Sequence, residues 1–279
     1  MDFKAKIIGA GLLFAVAAPS ALADQFYIDV GADFGDNGFA QADGNNTTGW
    51  LDEMTYVYQS STLVTDADLN GPDAGDAITT TGGFIDGNVP SVSLNQITGF
   101  NPSQSIIDPT SPSENGYGDW GITFQFELFG TLGAGLTTNF TSGNITFYYY
   151  DATMVGTNFT ELFTISVTGT QQSSGGPRLT GEVTSVGGDM VNTVVAGDVF
   201  NFATGSFGDH LDAFIEIMAS VDFNTDPSQV TSVDNGDGTW TLTGQHDGSV
   251  SFAVPEPSAL AVMALGLLVL AGLGRNRKA

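Results

Sequence analysis

The chain has 279 residues, with 31 acidic side chains against 6 basic ones and a formal net charge of −25. Lys4 and Lys6 stand at one end, Arg275, Arg277 and Lys278 at the other, and Arg178 alone lies between, which excludes phosphate-neutralising nucleic-acid binding and a basic lipid-binding patch. The absence of cysteine excludes disulfides and thiolate chemistry, while 41% hydrophobic and 11% aromatic content suffices to fill a core.

The first element in chain order is a secretory signal. Lys4 and Lys6 form a positive n-region, Ile7 to Ala18 an apolar run, and Ala21-Leu22-Ala23 a small-residue cleavage site, so the mature chain begins near Asp24. The run is too short for a membrane anchor, and the cleavage site lies directly after it.

An acidic segment comes next, from Asp66 to Asp76. Oxygen-bearing side chains at Asp66, Asp68, Asn70, Asp73 and Asp76, interspersed with glycine, are the ingredients of a Ca²⁺ loop, because the ion takes about six to eight oxygens and the chain must turn sharply to supply them. The twelfth position of an EF-hand loop would be Glu and is here Ala77. A solvated acidic turn therefore competes with a metal site. Residues 99–118, with Pro102, Pro109 and Pro112, read as a loop or a boundary between subdomains.

Period-2 alternation broken by Gly, Asn, Asp and Pro dominates the rest of the body, and helical periodicity of useful length is lacking. Ile122, Phe124, Phe126 and Leu128 share one face of a strand. Asn144 to Asp151 reads as a strand with aromatics on both faces, including Tyr148, Tyr149 and Tyr150, and Phe163, Ile165 and Val167 alternate with polar neighbours. Ile215, Ile217, Ala219, Val221 and Phe223 form the longest clean stripe. Asp234-Asn235-Gly236-Asp237-Gly238 predicts a hairpin turn between strands around Val230–Val233 and Thr239–Thr243, since Asn and Gly accept positive φ. Trp240 and Leu242, then Val250, Phe252 and Val254, continue the pattern. The sum is an all-β body over residues 24–253, an antiparallel β-sandwich built as one large unit or two small ones.

The C-terminal 254–279 has three parts: Val254-Pro255-Glu256-Pro257, an uncharged stretch from Ser258 to Gly274, and a basic stop at Arg275, Arg277 and Lys278. As a helix, the middle part would reach roughly 25 Å, close to the ~30 Å hydrocarbon core of a bilayer. The basic cluster would hold the terminus on the cytoplasmic side.

This order of motif, short transmembrane helix and Arg/Lys tail resembles the PEP-CTERM protein-sorting signal. Pro255, Glu256 and Pro257 match its signature, and Arg275, Arg277 and Lys278 its basic stop. The resemblance implies a Gram-negative, exopolysaccharide-producing host and transient residence in the inner membrane. It also implies processing by signal peptidase and then by exosortase near 255–257, and delivery of the body to the cell surface or extracellular matrix. The mature N-terminus, Asp24-Gln25-Phe26-Tyr27-Ile28-Asp29-Val30-Gly31, and the long body are also similar to flocculation-associated members of that group. The implied role is association with exopolysaccharide and promotion of cell aggregation.

Candidate chemistry in the body is sparse. His210 and His246 each sit beside aspartates in glycine-rich stretches that read as turns, and no Gly-x-Ser-x-Gly elbow is present. Paired carboxylates of a glycosidase need only two acids at the right separation, so a secreted polysaccharide hydrolase is an alternative. A passive structural surface layer is another. Tyr117, Trp120 and Tyr148 are candidates for stacking on sugar rings, or they fill the core. Removal of both terminal segments leaves 29 acidic residues against Arg178 between Asp24 and Val254, a net charge of −28. Divalent cations, calcium above all, are the expected counter-partners, with a melting temperature that rises in millimolar Ca²⁺. No organic cofactor is expected.

Overall fold

The computed structural model describes residues 23–32, 47–84, 95–101, 104–105, 120–151, 159–173, 176–223 and 229–255. A short strand, β1 (Phe26–Ile28), precedes the long β2 (Glu53–Thr65), in which Met54, Tyr56, Tyr58 and Val64 are buried at alternate positions. Three shorter strands come next, β3 (Ala77–Gly83), β4 (Gln96–Asn101) and β5 (Gln104–Ser105). β6 (Trp120–Leu132), β7 (Thr138–Asp151), β8 (Phe159–Ser173) and β9 (Gly176–Val186) then form a continuous antiparallel meander. The next elements are small: β10 (Met190–Val191) with β11 (Val194–Val195), β12 (Phe200–Phe202) with β13 (Gly205–Ser206), and the helix α1 (Phe207–Asp212). β14 (Met218–Phe223), β15 (Thr231–Asp234) and β16 (Thr239–Ala253) are the last elements among the described residues.

The all-β antiparallel expectation holds, and the sheet also closes on itself. One side of β16 pairs with β14 over Gly248–Ala253, while the other pairs with β2 from Thr239↔Thr65 to Val250↔Met54. Through β3, β6, β7, β8, β9 and β14, the ring returns to β16. Closure satisfies edge N–H and C=O groups that an open sheet would leave to water or to another chain.

Facing walls of this ring pack as in a sandwich. Phe126 of β6 meets Phe223 of β14 edge-on with ring centroids 5.0 Å apart, and Tyr58 of β2 lies 4.6 Å from the same ring. Phe163 of β8 reaches Phe252 of β16 at 5.5 Å. Each such ring, removed from water, contributes about 2–3 kcal/mol before entropy is counted.

One end of the ring is stoppered by a second, smaller sheet. β1, β12 and β13 pair in that order, and Phe26, Phe200 and Phe207 pack onto Phe163 and Phe252. The core is therefore one connected cluster from Phe26 to Phe252.

Alternation alone gave no sign of α1. Its N-terminus is a capping box: the Ser206 hydroxyl accepts the Asp209 N–H, and the Asp209 carboxylate accepts the Ser206 N–H. At its C-terminus, the Ile215 N–H donates to the His210 carbonyl and the Phe214 N–H to the Leu211 carbonyl. That is a Schellman ending, whose left-handed position glycine usually fills. Here it holds Phe214, at φ 57° and 96% exposed. Such a conformation costs an L-residue roughly 1–2 kcal/mol.

Three further expectations change. The stripe from Ile215 to Phe223 becomes strand only at Met218, because Ile215 is still bonded to the helix end. The segment from Gly99 opens inside β4 and β5, although loop was expected there. His210 and His246 lie in α1 and in β16, not in turns, and both are buried. The hairpin at 234–238 forms as expected, with the Asn235 N–H donating to the Thr239 carbonyl at 3.0 Å.

Candidate functional site

The two ends of the body meet at the stoppered end of the ring. The Asp24 N–H donates to the Phe252 carbonyl at 2.8 Å, and the Asp24 carboxylate accepts the Val254 N–H at 2.7 Å. Ala23 is exposed and Asp24 half-buried, so the Ala23–Asp24 bond proposed for signal cleavage lies at the surface. A cavity of about 650 Å³ opens beside this junction, with Ala23, Asp24, Val254, Thr204, His210 and Ile215 in its wall. Val254 and Pro255 are both half-buried and lead out of the fold. Ala21, Glu256, Pro257, Arg275, Arg277, Lys278 and Tyr117 lie outside the described residues.

Residues 253–278 match the family model of the PEP-CTERM protein-sorting motif. The chain carries a PEP-CTERM sorting signal. It is an exported, exosortase-processed protein that passes through a membrane-associated step. No curated protein and no solved structure matches the chain. Among the described residues no helix is long and apolar enough to cross a membrane, and all of these residues precede the uncharged stretch of the PEP-CTERM signal.

In the body that precedes the sorting signal, the acidic segment 66–76 turns its carboxylates onto itself. Asp66 accepts the N–H groups of Gly71 at 2.8 Å and Asn70 at 3.2 Å, and Asp76 accepts that of Asp73. Burial opposes ionisation of Asp66, but the Gly71 and Asn70 N–H groups outweigh it and hold the carboxyl below its ordinary value. Burial raises Asp68, and the neighbouring Asp66 and Asp73 add to it. The Asn70 amide bridges Asp68 and Asp73. Among the described residues no three acidic or histidine side chains are grouped to hold a metal ion. Asp66, Asp68, Asn70, Asp73 and Asp76 are thus a self-capped turn in this structure.

The aromatic candidates separate. Trp120 is 1% exposed and stacks on Tyr149 at 6.2 Å inside the ring, which removes it from sugar contact. Tyr148 faces outward on β7 and is half-buried. Its hydroxyl accepts a hydrogen bond from the Gln125 amide, and Phe84 lies edge-on at 5.5 Å. Phe84 in turn stacks on Phe159 at 4.2 Å. Burial, with the nearby Glu161 carboxylate, raises the Tyr148 phenol and keeps it protonated. Phe84 and Phe159 were missed because each sits at a strand end, where alternation assigns no face.

A second, polar cleft of about 400 Å³ was also missed. Glu53, Asp222 and Asp247 line it together with Tyr56, whose hydroxyl donates to the Asp222 carbonyl at 2.7 Å. Burial raises the Asp222 carboxyl, Arg178 opposes this, and Asp247 and Glu53 reinforce it. The registers of β16 with β14 and with β2 bring these acids together, since Ser249 lies opposite Asp222 on one side and opposite Thr55 on the other.

His210 is held by structure on both sides. Nδ1 meets the Ser206 carbonyl at 2.7 Å and Nε2 the Thr204 hydroxyl at 3.0 Å, while the Ser206 hydroxyl donates to Asp198. Ser206 and His210 therefore do not form the nucleophile–base pair of a triad.

Proposed function

We propose that the processed body is a non-enzymatic surface or matrix protein that associates with exopolysaccharide and promotes aggregation of cells into flocs or biofilm. The observation that carries this reading is the outward cluster of Tyr148, Phe84 and Phe159 beside Gln125 and Glu161. Half-buried rings next to amide and carboxylate groups match a sugar's apolar CH face and its hydroxyls. A net charge of −28 from Asp24 to Val254 adds a second contact mode. Calcium would enter as an ion bridging surface carboxylates to an acidic glycan, not as the ligand of a built site.

The test is incubation of the processed protein with the host's exopolysaccharide, and then pull-down. Retention is expected, and Tyr148→Ala should weaken it by about 2–10-fold, the worth of one aromatic contact. Aggregation should fall in chelator. Absent retention, or Tyr148→Ala binding like the native chain, removes the reading.

One observation favours a second reading, a polysaccharide hydrolase. The raised Asp222 carboxyl beside Asp247 and Glu53 is what an acid catalyst of glycoside cleavage would need. New reducing ends in the same incubation, abolished by Asp222→Asn, would select it.

A further inference from the structure

We propose that the end of the ring carrying Asp24, Val254 and Phe214 lies against the lipid headgroups in the precursor, with the Phe214 ring inserted among them. The proposal rests on the sorting signal for its tether and on the fold for its surface. From Val254, four residue steps reach Ser258, where the uncharged stretch begins. Four extended residues cover at most about 14 Å. The headgroup layer is itself about 5–7 Å thick on each side of the hydrocarbon core. A body on so short a stalk cannot stand clear of the membrane.

The chain enters the body at the same point. Asp24 is bonded to Phe252 and Val254, so entry and exit of the body lie side by side. That common point fixes which end faces the bilayer. The hairpin at Asp234–Gly238 and the loop 66–76, joined by the Asp66 N–H to the Gly238 carbonyl, belong to the opposite end.

Phe214 is the side chain this orientation explains. Ile215, its neighbour, shares the cavity wall with Asp24 and Val254. Phe214 occupies the glycine position of a Schellman ending and is 96% exposed, so it costs stability twice, in backbone strain and in hydrated apolar surface. Aromatic side chains at a membrane surface sit at headgroup level. One ring gives weak affinity, which suffices for a tethered body because the tether supplies the local concentration. The contact is apolar, since the strongly acidic body is repelled by anionic lipid.

The absence of native cysteine permits a direct test on the full chain. Ala203→Cys, exposed on the same cavity wall, and Leu69→Cys, exposed in the far loop, are each labelled with a fluorophore. The proteins are reconstituted in phosphatidylcholine vesicles bearing headgroup nitroxide. Quenching at position 203 should exceed that at 69 several-fold. Phe214→Gly in the Ala203→Cys chain should at least halve the quenching while raising the melting temperature, because glycine suits the backbone there. Equal quenching at 203 and 69, or no response to Phe214→Gly, overturns the proposal. A chain that fails to float with vesicles refutes instead the membrane step of the sorting signal.

Discussion

The Asp24 carboxylate accepts the backbone N–H of Val254 at 2.7 Å, across 230 residues of chain. With the Asp24 N–H on the Phe252 carbonyl, Asp24 clamps the chain on both sides of Ala253, where the match to the sorting motif begins. Asp24→Ala leaves the Val254 N–H without this acceptor and should cost about 1 kcal/mol, with faster amide exchange at Val254. Asp24→Asn retains a side-chain carbonyl and should restore most of the protection. Unchanged exchange in Asp24→Ala would show that the clamp contributes nothing.

Phe163 should be among the costliest positions in the core. It stacks on Phe147 at 4.7 Å, crosses to Phe252, and also meets Phe200 of the small sheet and Phe207 of α1. Truncation therefore opens a cavity where ring and stopper join. Phe163→Ala should destabilise by about 3–5 kcal/mol in urea unfolding. A loss below about 1 kcal/mol would mean that the stopper does not pack as described.

Alternation made the strands legible wherever one face meets the core and the other meets water, as at Ile122–Leu128. The turn at Asn235-Gly236 was legible from its own chemistry. Other features depend on partners distant in sequence. β16 is one strand from Thr239 to Ala253 but reads as two, because Gly244 and Gly248 interrupt its apolar stripe. Both glycines serve neighbours: a Cβ at Gly244 would lie 2.5 Å from the His246 ring, and one at Gly248 2.2 Å from the Asp222 carbonyl. Ring closure pairs Thr239 with Thr65, a register that no local pattern encodes. The candidate sites divide in the same way. Tyr148 was visible as an outward tyrosine, whereas Phe84, Phe159 and the Asp222 cleft exist only through strand pairing. The acidic segment was visible as composition, but composition did not show that Asp66 commits its oxygens to Gly71 and Asn70.

Two carboxylates should give opposite pH signatures. Asp222 has a folded-state value raised above the unfolded one, so its protonated form is favoured in the fold. That stabilisation is full below about pH 4 and is lost as pH rises through the folded value. Asp222→Asn should therefore raise the melting temperature at pH 7 by about 1 °C, and the gain should vanish in acid. Asp66 is lowered, so its contribution is present above the unfolded value and lost as pH falls through the folded one. Asp66→Asn should lower the melting temperature at pH 7, with the difference closing below about pH 4. Melting curves at about pH 3.5, 5 and 7 for both variants decide the matter, and equal slopes would refute the assignment.

Calcium should stabilise the body chiefly by screening. Between Asp24 and Val254, 29 acidic residues face one arginine, and their repulsion reaches about 30 Å at 10 mM ionic strength but only about 10 Å at 100 mM. The described residues contain no group of three acidic or histidine ligands, and the Asp66 oxygens are already engaged. In low salt, millimolar CaCl₂ should raise the melting temperature above that in chelator, and NaCl of equal ionic strength should reproduce most of the rise. At about 150 mM NaCl, added calcium should have little further effect, because exposed charges are already screened. A saturable, calcium-specific rise in that salt, abolished by Asp66→Asn, would instead establish the loop as a binding site.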